Sequence, residues 1–112
     1  MKKVGRIHKN LLNGADIYQS DGLEKHIQKR HPECVEYLDN IPDVISNPDY
    51  VGKSPRENAN SIELIKVLEK NITIGIKLDT VENYYYVATL YAITDSKLQA
   101  RIKSGRIKKF DN

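Results

Sequence analysis

The chain has 112 residues, enough for one domain with one core, and its apolar content of 39% is too high for a disordered protein. The formal net charge is only +3, and a single cysteine, Cys34, excludes an intrachain disulfide and fits a reducing compartment. No apolar run approaches the ~18 residues of a membrane span, and residues 1–10 lack the apolar centre of a signal peptide. These features predict a cytoplasmic protein without a membrane partner, built as one domain over residues 1–112.

Charge is distributed unevenly along the chain. Six Lys and Arg residues and no acid lie within residues 96–110, whereas residues 33–49 hold five acids and no Lys or Arg. A basic face can attract a polyanion and bind its phosphates. We therefore predict that Lys97, Arg101 and Arg106 bind the backbone of a substrate. A solvated basic tail is the alternative interpretation.

The first part of the chain has helical signals, after two short candidate strands at residues 4–7 and 16–19. Leu23 and Ile27 repeat at helical spacing. Pro32 disfavours helical geometry at the residue before it, which ends this first helix, and it suits the first turn of a second one. Three further short elements are predicted: a helix at residues 33–40, a helical turn at 41–45 and a strand at 50–52.

The hydrophobic pattern changes to alternation in the second half of the chain. Residues 61–69, 72–78 and 84–93 are rich in β-branched and aromatic side chains and are joined by short links, which predicts an antiparallel meander. Residues 61–69 also fit a helical period, so a helix is the alternative there. A last short helix is predicted over residues 95–104 and ends at Gly105.

This order of elements predicts an α+β domain. We expect N-terminal helices packed on one face of an antiparallel sheet, followed by a short basic C-terminal helix. The other face of the sheet would then be free for a ligand. Strict alternation along residues 84–93 places Tyr85, Thr89 and Tyr91 on one face, with Lys77 beside them on the neighbouring strand.

Two of the three histidines lie in the first helical region, at His26 and His31, with Arg30 between them. Imidazole exchanges protons near neutral pH, and nearby cations suit an anion such as phosphate. At the rim of the open sheet face, these residues fit RNA cleavage without a metal. One group would remove the proton of a 2′-hydroxyl and another would protonate the leaving 5′-oxygen. Arg30 and Lys77 would stabilise the phosphoryl charge, giving a 2′,3′-cyclic phosphate.

Other kinds of site have less support. His26, His31 and Cys34 do not have the spacing of a known metal motif, and no Gly-rich phosphate loop is present, so we predict no metal ligand and no cofactor. The alternative to a catalytic site is structural. In that interpretation His26 is solvated, His31 only closes a helix, and the tyrosines at residues 84–86 serve packing.

Several motifs together resemble the phage-associated barnase–EndoU–colicin–RelE-like nuclease domains, over about residues 16–110. They are Gly22-Leu23-x-x-His26-Ile27-x-x-Arg30-His31-Pro32, Tyr37-Leu38, Ile41-Pro42-Asp43, Asn47-Pro48-Asp49-Tyr50-Val51-Gly52, Ser61-Ile62-Glu63-Leu64, Gly75-Ile76-Lys77-Leu78, Tyr86-Val87-Ala88-Thr89 and Ser104-Gly105-Arg106.

The resemblance implies a compact α+β nuclease fold, with N-terminal helices against a four-stranded antiparallel sheet, that cleaves RNA without a metal. Such domains occur in phage, prophage or mobile-element proteins that include toxins. The resemblance also implies catalytic roles for the following matched positions: His26, Arg30, His31, Lys77, Thr89 and Tyr91. The substrate-binding set that we predict is Lys53, Tyr85, Lys97, Arg101 and Arg106. The implied partners are tRNA or mRNA and an inhibitor or immunity protein. The alternative is a module of the same fold that binds RNA or protein without catalysis.

Overall fold

The structure is a computed structural model that describes residues 1–53 and 61–111. In these residues seven strands form one sheet: β1 (Lys2–Arg6), β2 (Asp16–Gln19), β3 (Tyr50–Gly52), β4 (Ser61–Val67), β5 (Asn71–Asp79), β6 (Tyr84–Ile93) and β7 (Ile107–Lys109). Three α-helices accompany the sheet: α1 (Leu23–Arg30), α2 (Ile41–Ser46) and α3 (Asp95–Ser104). Two 3₁₀ segments, Leu12–Gly14 and Pro32–Asn40, complete the regular structure, and the second of them replaces the predicted helix at residues 33–40.

The sheet is mixed, and the prediction of four antiparallel strands was wrong. Its order is β1-β2-β6-β5-β4-β3-β7, in which β2 and β6 are parallel and all other neighbours are antiparallel. The three long strands lie close to where alternation predicted them. The other four have three to five residues each, and β2 and β3 have the bounds that the sequence predicted, residues 16–19 and 50–52. Strands this short carry too little periodic signal to show which partners they pair with in the sheet. The α+β class holds.

The larger core lies on the front face of the sheet, which we define as the face carrying Ile72, Ile74 and Ile76 of β5. These three side chains are fully buried, together with Ile27 of α1 and Ile41 of α2. Burying a branched aliphatic side chain stabilises a fold by about 1.5–3 kcal/mol. Packing against α1 and α2 therefore holds the front face, as the N-terminal helical pattern predicts.

The back face of the sheet is partly covered, which corrects the expectation of a free face. Leu98 of α3 packs there against Ile65 and Ile93 in a second, smaller core. The side chain of Thr94 caps α3 by accepting a hydrogen bond from a backbone N–H, and Gly105, at a φ of 80°, ends the helix. Only one end of the back face is covered. In the described residues, α3 is the one helix that contributes side chains to this smaller core.

A β-bulge interrupts the alternation of β6. Gly75 of β5 lies opposite Thr89, but the next pair in register is Ile76 with Val87, so Ala88 is the extra residue. An extra residue reverses the side on which every earlier residue of the strand lies. The two halves of β6 therefore follow opposite alternation patterns.

The bulge explains why Tyr85 does not share a face with Thr89 and Tyr91, as strict alternation predicted. Tyr85 packs against the larger core on the front face. Tyr86 takes the back-face position instead, opposite Lys77 of β5. This exchange decides which tyrosines lie beside the site described below.

Gly52 allows β3 to approach β7 closely. A Cβ atom at this position would collide with the carbonyl oxygen of Arg106 and come within 2.8 Å of Cγ2 of Ile107. We therefore expect Gly52→Ala to displace β7 and to lower the free energy of unfolding by about 1–3 kcal/mol, measured by urea denaturation. Gly22→Ala is the matched control, because a Cβ there meets nothing within 4 Å. Equal losses in the two variants would contradict this account of β7.

Candidate functional site

A buried carboxylate is the centre of a polar cluster on the back face. The side chain of Glu63, in β4, is only 5% exposed. Burying a lone carboxylate is costly, and three side chains offset that cost. Nη2 of Arg106 lies 2.6 Å from Oε1, the Tyr91 hydroxyl donates to Oε2 at 3.0 Å, and Nη1 of Arg101 lies 3.5 Å from Oε2. We refer to these four residues as the Glu63 cluster.

The sheet register brings the cluster together. Glu63 of β4 lies opposite Gly75 of β5, which in turn lies opposite Thr89 of β6. Tyr91 lies two residues beyond Thr89 on β6, and its hydroxyl reaches diagonally across β5 to Glu63. Arg101 comes from the last turn of α3 and Arg106 from the turn before β7.

A cavity of about 90 Å³ lies above Gly75, next to the Glu63 cluster. This volume corresponds to roughly three water molecules. A Cβ atom on Gly75 would lie 3.3 Å from Cγ2 of Thr89, so glycine keeps the space open. The lining residues are Ser61, Ile62, Glu63, Gly75, Ile76, Lys77, Ala88, Thr89 and Tyr91. Three residues that the sequence singled out, Lys77, Thr89 and Tyr91, therefore meet at one cavity.

The two histidines of the first helical region lie at the edge of the cluster. The ring centroids of His31 and Tyr91 are 5.8 Å apart, and those of His26 and His31 are 6.4 Å apart. This approach is possible because β2 pairs with β6 only as far as Val87, which leaves the later part of β6 without a strand on that side. His31 is half-buried and His26 is exposed. Glu63, Tyr91, His31 and His26 therefore form a row that runs from the buried carboxylate outward to solvent.

Other predicted residues lie outside the cluster. Arg30 is exposed in the last turn of α1, Lys97 is exposed in the first turn of α3, and Lys53 is exposed after β3. Tyr85 lies on the opposite face, for the reason given above. Arg101 and Arg106, predicted as guides for a substrate backbone, instead contact the carboxylate directly.

Glu63 was missed by the sequence reasoning. A signal for it exists, since alternation along β4 places Glu63 on the same face as Ser61 and Ile65, two buried positions. An acid on the buried side of a strand needs a cationic partner, and the basic C-terminal region can supply one. The partner itself could not be identified, because Arg106 is 43 residues further along the chain.

The Tyr91 hydroxyl is a hydrogen-bond donor at neutral pH. Burial raises the pKa of this hydroxyl; Arg101 opposes the rise, and the charge of Glu63 adds to it. The guanidinium carbon of Arg101 also lies 5.9 Å from the centre of the Tyr91 ring, within the range of a cation–π contact. These contacts hold the carboxylate and the tyrosine in one arrangement.

The chemistry of the cluster suits an anion. Arg101 and Arg106 bring two positive charges to the single carboxylate of Glu63, and guanidinium groups bind phosphate oxygens well. Across residues 1–53 and 61–111, no group of three His, Cys, Asp or Glu side chains is arranged to hold a metal ion. Nor does any helix in those ranges have the length and apolar character to span a membrane.

The back face therefore carries a carboxylate, a lysine and a tyrosine hydroxyl at one cavity, with two arginines bound to the carboxylate and a histidine beside the tyrosine. A family model described as phage-Barnase-EndoU-ColicinE5/D-RelE like nuclease 3 matches residues 2–100. The chain therefore belongs to this phage-type nuclease family, which confirms the resemblance seen in the sequence and implies a nucleic-acid substrate. No curated protein and no solved structure matches the chain significantly.

Proposed function

We propose that the chain is a metal-independent endoribonuclease that cleaves RNA by general acid–base transesterification. The observation that carries the proposal is the Glu63 carboxylate, held by Arg106 and Tyr91 beside the cavity, with His31 next to Tyr91. The ribose 2′-oxygen attacks the adjacent phosphorus while the bond from phosphorus to the 5′-oxygen breaks. The products are a 2′,3′-cyclic phosphate and a free 5′-hydroxyl.

Glu63 and His31 are the proposed acid–base pair. An ionised carboxylate offers about four lone-pair positions, and the three neighbours of Glu63 use no more than three of them. The remaining capacity can accept the proton of the 2′-hydroxyl, and His31 donates a proton to the leaving oxygen. In the sequence-based hypothesis the two histidines shared these roles. The structure places His26 further out than His31 and exposed to solvent, so we assign the role to His31.

Charge on the phosphoryl oxygens is stabilised by the cations around the cavity. Lys77 lines the cavity, Arg101 and Arg106 contact Glu63 at its wall, and Thr89 positions the phosphate. The exposed cations Arg30, Lys53 and Lys97 guide the RNA backbone toward the site. The proposed substrate is tRNA or mRNA in the cytoplasm, and a toxin with an inhibitor or immunity partner is the proposed biological setting.

Incubation with a mixed tRNA and mRNA pool, with and without EDTA, tests this function. We expect cleavage in both conditions, with 2′,3′-cyclic phosphate ends in end-group analysis. An oligonucleotide with 2′-deoxyribose at the cleaved position should stay intact, because it lacks the attacking oxygen. Salt-sensitive RNA binding without any product would instead identify a non-catalytic RNA-binding module and overturn the enzymatic proposal.

A further inference from the structure

Three tyrosines on the back face take no part in the proposed cleavage. The ring centroid of Tyr84 is 5.9 Å from that of Tyr18 and 5.9 Å from that of Tyr86, with interplanar angles of 83° and 55°. Tyr18 of β2 lies opposite Tyr86 of β6 in the parallel pairing. All three side chains are half-buried, so each retains an exposed part. We call these residues the tyrosine cluster.

The tyrosine cluster begins where the cavity ends. Tyr86 lies opposite Lys77, and Lys77 lines the cavity. Lys77 is two positions along β5 from Gly75, which also lines the cavity, and two positions span about 7 Å along a strand. A nucleotide next to a phosphate bound in the cavity therefore lies within reach of the Tyr86 ring.

The surroundings of the cluster fit a nucleic acid strand. Lys3 lies opposite Tyr18 in the β1–β2 pairing, and both Lys3 and Arg6 contact Asp16 at 3.1 Å. This edge of the back face thus carries cations close to aromatic rings. Aromatic rings next to positive charge are the combination that binds single-stranded nucleic acid, since the bases stack and the cations follow the backbone.

We propose that the tyrosine cluster is a nucleobase-stacking subsite, in which the base beside the scissile phosphate stacks on Tyr86 and Tyr84 supports that ring. The position of the phosphate rests on the proposed function. Because every base has a π-face, such a subsite has weak sequence preference. It requires an unpaired base, so the substrate class is single-stranded RNA or an RNA loop.

A binding experiment with an RNA analogue that cannot be cleaved tests the subsite. The probe is a labelled 2′-O-methyl hexanucleotide, in which the methyl group blocks the attacking oxygen, and fluorescence anisotropy at fixed salt gives the Kd. An abasic residue is placed at each position in turn. We expect one position to weaken binding by about 5- to 150-fold, as loss of one stacked base does, and the others to have little effect.

The protein side of the test is a double-mutant cycle. Tyr86→Ala should weaken binding of the intact probe by a similar factor, and the sensitive abasic position should then cause no further loss. Tyr86→Phe, which keeps the ring, should bind like the wild type. Additive losses from Tyr86→Ala and the abasic residue would show that ring and base do not touch, and would overturn the subsite.

The readout is independent of catalysis, so the two proposals fail separately. A chain that shows the coupling but never cuts RNA keeps the subsite and loses the endoribonuclease function. A chain that cuts RNA without any sensitive abasic position loses the subsite alone. If Tyr86→Ala does not fold, the abasic scan on the wild-type protein decides the question. A probe that fails to bind the wild-type protein at low salt would also overturn the subsite.

Discussion

Glu63→Ala is expected to lower the free energy of unfolding by about 3 kcal/mol at neutral pH, the largest stability effect of any single change considered for this chain. Removing the carboxylate leaves the guanidinium groups of Arg101 and Arg106 close together without their anionic partner. Their side chains are only 15% and 28% exposed, so water compensates little for the lost contact. We take the lower end of the range for a broken buried ion pair because Arg106 is partly screened by solvent. Urea denaturation measures the loss.

Two controls show whether the lost stability comes from the contacts of Glu63 or from removing a glutamate in general. Glu82→Ala, in the exposed turn between β5 and β6, should change stability by less than about 0.5 kcal/mol. The double variant of Glu63→Ala with Arg106→Ala should lose less than the sum of its single changes, since the second change removes the unpaired cation. Additive losses would contradict a direct pairing.

Glu63→Gln keeps the shape of the side chain. This variant should fold while losing cleavage, which separates catalysis from stability.

His31→Ala is expected to slow RNA cleavage by about 10²- to 10⁴-fold, the usual contribution of a positioned acid or base. The reason is that His31 is the imidazole nearest the Glu63 cluster, 5.8 Å from the Tyr91 ring. The fold should survive, because His31 is only half-buried and caps α1 through its backbone N–H. Single-turnover cleavage of a short RNA gives the rate, and thermal unfolding checks the fold.

His8→Ala is the matched control for that experiment. The His8 ring packs against Phe110, with centroids 4.8 Å apart, so the His8→Ala substitution should leave the cleavage rate nearly unchanged. His26→Ala should have a smaller effect than His31→Ala, because His26 is the outer member of the row. Full activity of His31→Ala would remove this residue from the proposed acid–base pair.

Local patterns predicted the long elements well. The alternation in β4, β5 and β6 and the helical spacing of Leu23 and Ile27 are properties of neighbouring residues, so they can be recognised in the sequence. The pairing of the short strands could not be predicted in the same way, although β2 and β3 lie where the sequence predicted strands. β2 has four residues and pairs in parallel with residues 85–87 of β6, a contact that depends on how the chain returns after many intervening elements.

The site shows the same limit. Lys77, Thr89 and Tyr91 lie on adjacent antiparallel strands joined by a short turn, but they share a face only because of the bulge. With unbroken alternation Tyr86, which lies opposite Lys77, would be on the other face from Thr89 and Tyr91. An alternating sequence pattern gives no sign of the bulge at Ala88. The bulge places Tyr86, and not Tyr85, on the back face.

The sequence by itself determined the long strands, the first and last helices, the family and the region of the histidines, because each of these depends on residues close together in the chain. Only the tertiary structure decided that Glu63 is the centre of the site, with Arg106 from 43 residues away and His31 beside Tyr91. The physical reason is that burying a charge requires a partner in space, and the sequence pattern marks the charge but not which distant cation folds against it.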